Sequence, residues 1–506
     1  MGSLYGAWLP FPAGRRMRHT VAMPYVAAVI GAALAVLAFP PFGVWPLVAI
    51  GPAVWLWGLE RVDRPGQGAA VGLVFGLAFF GGLIWWISEL GPEAVSALVI
   101  VQALYPALFG WALVRWGRSL DAGRWWLIAA GLWAVTEFVR FRFPVGGFEW
   151  GAWGYALSDQ SWARAGARWI GTSGWTVVLM AVAAGVSRLR VTAAVVPVGL
   201  GLAMGVVGAL LPSLPAGVPV SATIVQGSTP CPFEHCPDER LITYHQHLAL
   251  TRTLVPGSAD LVVWSEGSTG SSSADPVNNP EVGEAIGAEA VRLGGWMLVG
   301  GDRPVSNTEW INANVVFAPD GQIVGEYRKQ HPVPFGEYIP ARPLFEWIPA
   351  LDQVPRDMIR GEGEVLFELG GYQLGSIISF EGGFSRYARE MANLGADLIV
   401  VATNEGSYGL TPASDQFIGM TRMRSAETGL DVIHAAVTGK SVMITDGGML
   451  GETTDLATLE VLPGTVEARP DLLSVYVRFG EWVMLLAALG AVVVWARSRP
   501  RPEPGA

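Results

Sequence analysis

Apolar residues run in long blocks through the first part of the chain, give way to short blocks broken by charge, and return in one long block near the end. A run of about 20 apolar residues spans a hydrocarbon core of about 30 Å, and somewhat shorter runs suffice where aromatic ends sit in the interface. Such runs lie at 21–39, 44–59, 69–90, 94–115, 124–140, 165–187, 192–212 and 476–496, which predicts about eight transmembrane helices. Between the seventh and the eighth the period changes. Short β-branched blocks at 221–225, 261–264, 296–299, 314–317, 375–379, 398–401, 431–436 and 441–445 alternate with helix-like stretches at 238–253, 280–293, 383–394 and 414–427. That alternation predicts a layered α/β domain. The expected organisation is a membrane domain with about seven spans over 1–218, a water-exposed domain over 219–466, and a final span with a basic tail over 467–506.

Charge orients this scheme. Arg15, Arg16 and Arg18 precede the first run, and Arg61 and Arg64 follow the second. Arg115, Arg118 and Arg124 flank the fourth and fifth, Arg188 and Arg190 follow the sixth, and Arg497, Arg499 and Arg501 close the last. If the chain alternates, all of these share one face, and an arginine-rich face is cytoplasmic. The α/β domain is then expected on the opposite side, periplasmic or extracellular, with both termini cytoplasmic. Arg142, Arg164 and Arg168 break the pattern, because they fall in the outside loop 141–168. The glycine-rich stretch Gly146 to Gly151 inside that loop is read either as a re-entrant segment or as an ordinary loop. The first run ends in Phe39-Pro40-Pro41-Phe42 rather than in small residues suited to cleavage, so it is expected to remain as a span.

Composition agrees with a lipid-solvated chain: 51% of residues are hydrophobic, 15% are charged and 22 are tryptophan. Acidic residues are sparse before Pro219 and frequent from Glu234 to Glu467, where they carry the net charge of -10. An acidic outer domain excludes nucleic acid as a partner. Of 33 basic residues only Lys329 and Lys440 are lysines. A lysine in such a chain points to a place where a compact charge is needed and a guanidinium would not fit.

Three strand ends carry candidate chemistry. Val262-Val263-Trp264-Ser265-Glu266 delivers a carboxylate to the end of a buried-looking strand. Lys329 lies eight residues before Glu337 in a loop rich in proline and aromatics, Lys329 to Pro340. Gly375 to Ser379 runs into Phe380-Glu381-Gly382-Gly383, the kind of sharp strand-to-helix turn that presents a nucleophile.

Together these segments resemble the apolipoprotein N-acyltransferase family, in which a nitrilase-superfamily domain sits on a multi-pass membrane base. The Lys329 to Pro340 loop is the most specific part of the likeness. Gly375 to Glu381, Thr403-Asn404-Glu405-Gly406, Arg422-Met423-Arg424, Val225-Gln226-Gly227 and the Gly147 to Gly154 loop are similar too. The resemblance implies a polytopic helical membrane domain plus an extracytoplasmic αββα sandwich in the plasma membrane of a bacterium. It implies acyl transfer from a phospholipid, through an acyl-enzyme, to the α-amine of the lipid-modified N-terminal cysteine of a lipoprotein. Glu266 is then the general base, Lys329 the oxyanion partner, Ser379 the nucleophile position, and Glu337 and Glu381 the carboxylates that orient the lysine and the incoming amine. Phe335, Phe380, Asn404 and Tyr408 are implied to bind substrate, and neither a metal nor an organic cofactor is needed.

This chain departs from the family at the nucleophile. The family has cysteine there and this sequence has Ser379, while Cys231 and Cys236 lie far upstream. The family's proline before the glutamate is Ser265, and its Asp-x-Trp-Phe after the asparagine reads Glu405-Gly406-Ser407-Tyr408. Besides an acyltransferase working through a serine oxyester, a second reading is therefore kept open. In it the chain is a catalytically impaired scaffold that binds lipid or lipoprotein, or assists a partner enzyme of envelope-lipid or polyprenol-sugar synthesis.

Smaller features have plainer readings. Cys231 and Cys236 are spaced for a local disulfide, and His235 beside them is a weak zinc signal. His331 is read as a proton shuttle or as a structural turn histidine. The serine-rich stretch Gly267 to Asp275 is read as a mobile loop over the site or as plain surface loop. Trp85, Trp86, Trp125 and Trp126 are expected at membrane interfaces.

Overall fold

The computed structural model describes residues 22–498 except 118–119, 189–194, 196–197, 200, 204, 207–209, 211–213, 233–235 and 346. Arg15, Arg16, Arg18, Arg118, Arg190, Arg499, Arg501 and His235 lie outside the described residues, as does much of the run 192–212. Among the described residues, the helices of the base that precede the α/β part are α1 (Met23–Val36), α2 (Leu47–Leu59), α3 (Pro65–Leu83), α4 (Pro92–Trp116), α5 (Ala122–Arg140) and α6 (Ser161–Ser187). Of these, α3, α4 and α6 are long and apolar enough to cross a membrane. The apolar helices α1, α2 and Trp482–Arg497 are shorter. Helix Trp482–Arg497, although last in the chain, packs against α5 and α6 and so closes the base.

The α/β part contains two mixed sheets laid face to face. The first has the strand order β13-β1-β2-β3-β4-β5, with the two-residue β6 (Asp357–Met358) attached to β4. Its strands are β1 (Val218–Gln226), β2 (Leu261–Gly270), β3 (Trp296–Pro304), β4 (Glu309–Phe317), β5 (Ile323–Arg328) and β13 (Glu460–Ala468). The second runs β12-β11-β10-β9-β8-β7, from β12 (Met449–Thr453), β11 (Val442–Thr445), β10 (Val432–Ala436), β9 (Leu398–Thr403) and β8 (Gln373–Ile378) to β7 (Leu366–Glu368). Both are parallel at the centre and antiparallel at the edges. The central strands β2 and β9 are buried at every position, which is why they read as continuous apolar blocks rather than alternating ones. Helices Glu239–Thr251 and Pro280–Leu293 cover the first sheet; Ser385–Leu394 and Ala413–Thr428 cover the second.

All eight β-branched blocks are strands, but β5, β6, β7, β12 and β13 were not among them. β13 matters most. It pairs antiparallel with β1 from Val218↔Ala468 to Gln226↔Glu460, so the strand entering the domain lies beside the strand leaving it. Both connections to the membrane helices therefore emerge at one edge.

A buried polar network joins the two parts. Inside α6, Gly171 adopts φ 66 against the ring of Tyr476, breaking the helix and freeing the Thr172 backbone N–H. That N–H donates to Glu427 Oε1 at 2.7 Å, and Glu427 pairs with Arg424 at 3.1 Å. Glu149, in the loop after α5, accepts from Tyr155 Oη at 3.1 Å and from the backbone N–H of Ser385 at 3.1 Å. These side chains are nearly fully buried, and each charge has an opposite partner, the condition for leaving ions in an interior.

The arginines that broke the orientation pattern find their reason here. Arg142 pairs with Glu481 at 2.8 Å, Arg164 donates to Ser158 O at 2.8 Å, and the guanidinium of Arg168 lies against Gly447. They serve contacts with the α/β domain and neighbouring loops. The Gly146–Gly151 stretch is docked protein: the guanidinium of Arg386 donates to Phe141 O and Gly146 O, and Phe148 packs 5.8 Å from Phe380. Two of the tryptophans expected at interfaces are instead interior. Trp86 lies 4.9 Å from Trp150, and Trp125 is buried under Arg188.

Candidate active site

Glu266, Lys329 and Glu337, spread over 72 positions of sequence, meet in one buried cluster. Glu266 stands in β2 where the β2–β3 pairing is interrupted between Trp264 and Thr269, so its carboxylate projects from an irregular stretch. Lys329 directly follows β5, and its backbone N–H donates to Asn312 O at 2.9 Å. Its ammonium is fully buried, 3.2 Å from Glu266 Oε1 and 2.6 Å from Glu337 Oε1. Burial by itself lowers a lysine pKa, but Glu266 and Glu337 outweigh it and hold this one above its ordinary value. Glu337 is pushed up by burial, with Glu266 adding to the effect and Lys329 opposing it.

Neutral donors complete the cluster. Asn312 Nδ2 donates to Glu266 Oε1 at 2.6 Å, and the backbone N–H of Asn404 donates to Oε2 at 2.9 Å. Glu337 Oε2 accepts from Val333 N at 2.7 Å. Glu266 is thus oriented by three donors, each from a different strand or strand end.

Ser379 begins the turn after β8, half-buried, with φ 55. A non-glycine residue in that region is strained and must be held by its surroundings. Glu381 does the holding. Its carboxylate accepts from Ile378 N at 2.9 Å, Gln330 N at 2.6 Å, His331 N at 2.9 Å and Tyr327 Oη at 2.9 Å. It thereby ties the Ser379 turn to the Lys329 loop. Its own pKa is raised by burial, which the three backbone donors and Lys329 counteract. Of the two supporting carboxylates expected to orient the lysine, Glu337 touches the ammonium. Glu381 makes no hydrogen bond to it among the described residues and acts on backbone instead.

The remaining expected residues separate. Phe380 packs between Phe384 at 4.9 Å and Phe148, beside Ser379, while Phe335 is 42% exposed and edge-on to Phe345. Asn404 lies against Glu266. Tyr408 does not face the cluster openly: it is buried with its ring 4.6 Å from Trp86, fixing the domain to the base. The serine-rich stretch after Glu266 is not a mobile loop. Ser268 and Thr269 are buried in β2 and donate to Gly300 O, and Ser271–Ala274 form a short helix. Cys231 and Cys236 are disulfide-bonded.

His331 fits the reading as a structural turn histidine: Arg386 Nη2 lies 3.1 Å from its Nδ1 and its ring packs 4.5 Å from Phe384. Burial, reinforced by Arg386, Lys329 and Arg360, lowers its pKa to about 3. An unfolded histidine titrates near 6.5, so between those values the unfolded chain binds a proton that the folded one refuses. Stability contributed by neutral His331 is therefore present above pH about 6.5 and lost as pH falls toward 3. The His331→Gln protein is expected to show a smaller drop in thermal midpoint between pH about 7 and pH about 5 than the parent, measured by scanning fluorimetry. An equal drop would refute this assignment.

Asn312, Tyr327 and Arg240 escaped the sequence reading. A repeat of polar residues in an apolar strand, Asn312 and Asn314, was the available signal; both point inward, Asn314 Nδ2 donating to Ser376 Oγ at 2.8 Å across the two sheets. Glu405, with φ 61, keeps its carboxylate inward, accepting from Ser414 and facing His434 Nε2 at 3.0 Å.

Comparison with known proteins finds relatives of both parts of the chain. Residues 31–185 match the apolipoprotein N-acyltransferase N-terminal domain, and residues 223–462 match carbon-nitrogen hydrolase. The apolipoprotein N-acyltransferase of Methylococcus capsulatus is 30% identical, covering 93% of this chain and 96% of its own. Those of Geobacter metallireducens and Nitrosomonas europaea are 28% and 29% identical, covering 93% and 90% of this chain and 94% and 93% of their own. Among solved structures, an amidase from Nesterenkonia sp. is similar at 14% identity and a TM-score of 0.39, covering 51% of this chain and 93% of that one.

Proposed function

Since the chain belongs to the apolipoprotein N-acyltransferase family, we propose that it moves an acyl chain from phospholipid to the α-amine of a lipoprotein's N-terminal S-diacylglyceryl cysteine, using Ser379 as nucleophile. The observation that carries this reading is the buried Lys329 bridging Glu266 and Glu337 on a loop that Glu381 ties to the Ser379 turn. A scaffold would gain nothing from an ammonium sealed between two carboxylates, and the impaired-scaffold reading is not favoured.

In the proposed first step Ser379 Oγ attacks the ester carbonyl while Glu266 takes the hydroxyl proton. The oxyanion forms beside Lys329, and collapse expels the lysophospholipid alkoxide, which takes the proton back from Glu266. In the second step the lipoprotein amine attacks the Ser379 oxyester. Glu266 receives the amine proton and returns it to Ser379 Oγ as the amide leaves. Phe380 and Asn404 line the substrate side; Phe335 is exposed on the loop that leads to it.

The arginine pattern supports a multi-pass protein with about eight spans, the α/β domain of 219–466 on the periplasmic or extracellular face and both termini cytoplasmic. Phospholipid and lipoprotein are both anchored in that leaflet, which suits a site next to the membrane base.

The test is intact-protein mass after incubation with phospholipid in detergent micelles. The parent is expected to gain one acyl group, and Ser379→Ala is expected to gain none. An adduct that persists in Ser379→Ala, or its absence from a parent that retains bound phospholipid, would overturn the assignment.

A further inference from the structure

Lys329 is fully buried and gives two of its three N–H donors to carboxylates, and the proposed oxyanion takes the third, so none is left for the phosphate of a phospholipid. Asp302 adds a third acid near the cluster: its pKa is raised by burial, with Arg240 and Lys329 opposing and Glu266 reinforcing the shift. A phosphodiester approaching Glu266 would meet net negative charge unless another cation stood there. Arg240, in the first turn of Glu239–Thr251, is that cation.

Arg240 Nη2 is held 2.8 Å from Asp302 Oδ2, and the side chain remains 41% exposed. Its Nη1 points elsewhere. At Gly267, the residue after Glu266, φ is 74, and a Cβ built there would lie 2.8 Å from Arg240 Nη1 and 2.9 Å from Asn404 Nδ2. The Asn404 amide is oriented by its own turn, since Oδ1 accepts from Gly406 N at 2.9 Å. Neither Arg240 Nη1 nor Asn404 Nδ2 has a hydrogen-bond acceptor among the described residues. A cationic donor and a neutral one thus pack against the same side of Gly267, near enough to each other for one phosphate to bridge them, and only a residue without a side chain leaves them room there.

Resting on the acyl-transfer reading above, we propose that Arg240 and Asn404 Nδ2 form a subsite above Gly267 that takes the phosphate of the phospholipid donor. Covalent geometry supports the placement. In a glycerophospholipid the ester oxygen and the phosphorus are separated by four or five bonds, a reach of no more than about 6 Å. The leaving alkoxide must receive its proton from Glu266 across one hydrogen bond, so the phosphorus has to sit within about 9 Å of the Glu266 carboxylate. Gly267 directly follows Glu266, and the two donors pack against it. Guanidinium suits this task because it keeps its charge and can give one edge to Asp302 and another to phosphate.

The full-length protein in neutral detergent is to be titrated with dihexanoylphosphatidylglycerol, with dihexanoylglycerol and with inorganic phosphate, following intrinsic tryptophan fluorescence. The parent is expected to bind the phospholipid most tightly. Arg240→Gln is expected to weaken phospholipid binding roughly tenfold, the scale of one charged hydrogen bond, leave dihexanoylglycerol unchanged, and be partly restored in Arg240→Lys. Gly267→Ala should weaken the same ligand by pushing Arg240 Nη1 and Asn404 Nδ2 away from the positions they hold against the glycine. Equal weakening toward both lipids, no weakening, or a parent that binds both lipids alike would overturn the subsite. Inorganic phosphate binding as tightly as the phospholipid would overturn its assignment to lipid. Binding is read without turnover, so these outcomes stand apart from whether Ser379 becomes acylated.

Discussion

Ser379→Cys is expected to form its acyl adduct faster than the parent, by roughly one to two orders of magnitude at neutral pH, with no loss of thermal stability. The reason is the proton that must leave. A carboxylate base is matched poorly to a hydroxyl, which is about as weak an acid as water, and far better to a thiol at about 8.5. In the proposed mechanism the attacking atom approaches the Lys329 ammonium, and a nearby ammonium lowers a thiol's pKa further. The exchange of oxygen for sulfur needs little room, because position 379 is half-buried and has no side-chain hydrogen bond to lose among the described residues. The backbone that presents it, with φ 55, is set by Glu381 rather than by the side chain itself. Rapid-quench mass spectrometry of the two proteins gives the rates; a cysteine variant no faster than the serine parent would mean that attack is not the slow step.

The second large effect is expected at Lys329. Lys329→Met keeps the length of the side chain and removes the charge, leaving Glu266 and Glu337 facing one another in a buried space. Activity should fall by roughly 10²–10³, the usual loss on deleting an oxyanion partner. Stability should fall by about 3–5 kcal/mol at neutral pH, since breaking a buried ion pair strands its remaining charge. The pH dependence follows from sign. Glu337 is already raised by burial, and losing the lysine raises it further. A carboxyl whose folded pKa exceeds its unfolded one favours folding at pH below the unfolded value and loses that contribution as pH rises through the folded value. Acidification toward pH about 4.5 should therefore narrow the gap between variant and parent. Adding Glu337→Gln to Lys329→Met should recover part of the stability and none of the activity. Recovery of both would show that Lys329 serves folding alone.

The two expectations differ in how far the sequence could carry them. Lys329 and Glu337 stood out because the chain is poor in lysine and because their loop is rigid and aromatic. Ser379 and Glu266 stood out as polar ends of apolar strands. None of these signals told that Glu381 would leave the lysine alone and bind four donors of the backbone and Tyr327 instead. A carboxylate two residues beyond a nucleophile looks the same on paper whether it turns toward an ammonium or toward peptide N–H groups. Tyr408 shows the same limit: the family resemblance implied substrate binding, whereas its ring packs on Trp86.

Period and charge, which are local properties, determined by themselves the apolar runs, the α/β alternation and the excess of arginine on one set of loops. They also placed Glu266 and Ser379 at the polar ends of apolar blocks, because a buried parallel strand must read as an apolar block and turn polar where it leaves the core. Only the tertiary structure decided which of these meet. It brought Asn312, Asn404 and Arg240 around Glu266, paired β13 with β1 so that both connections leave by one edge, and buried Glu149, Arg424 and Glu427 between base and domain. The physical reason is that a lone polar residue in a sequence has no visible partner. Its role is set by the desolvation it suffers and the donors it finds, and both exist only after the chain has closed on itself.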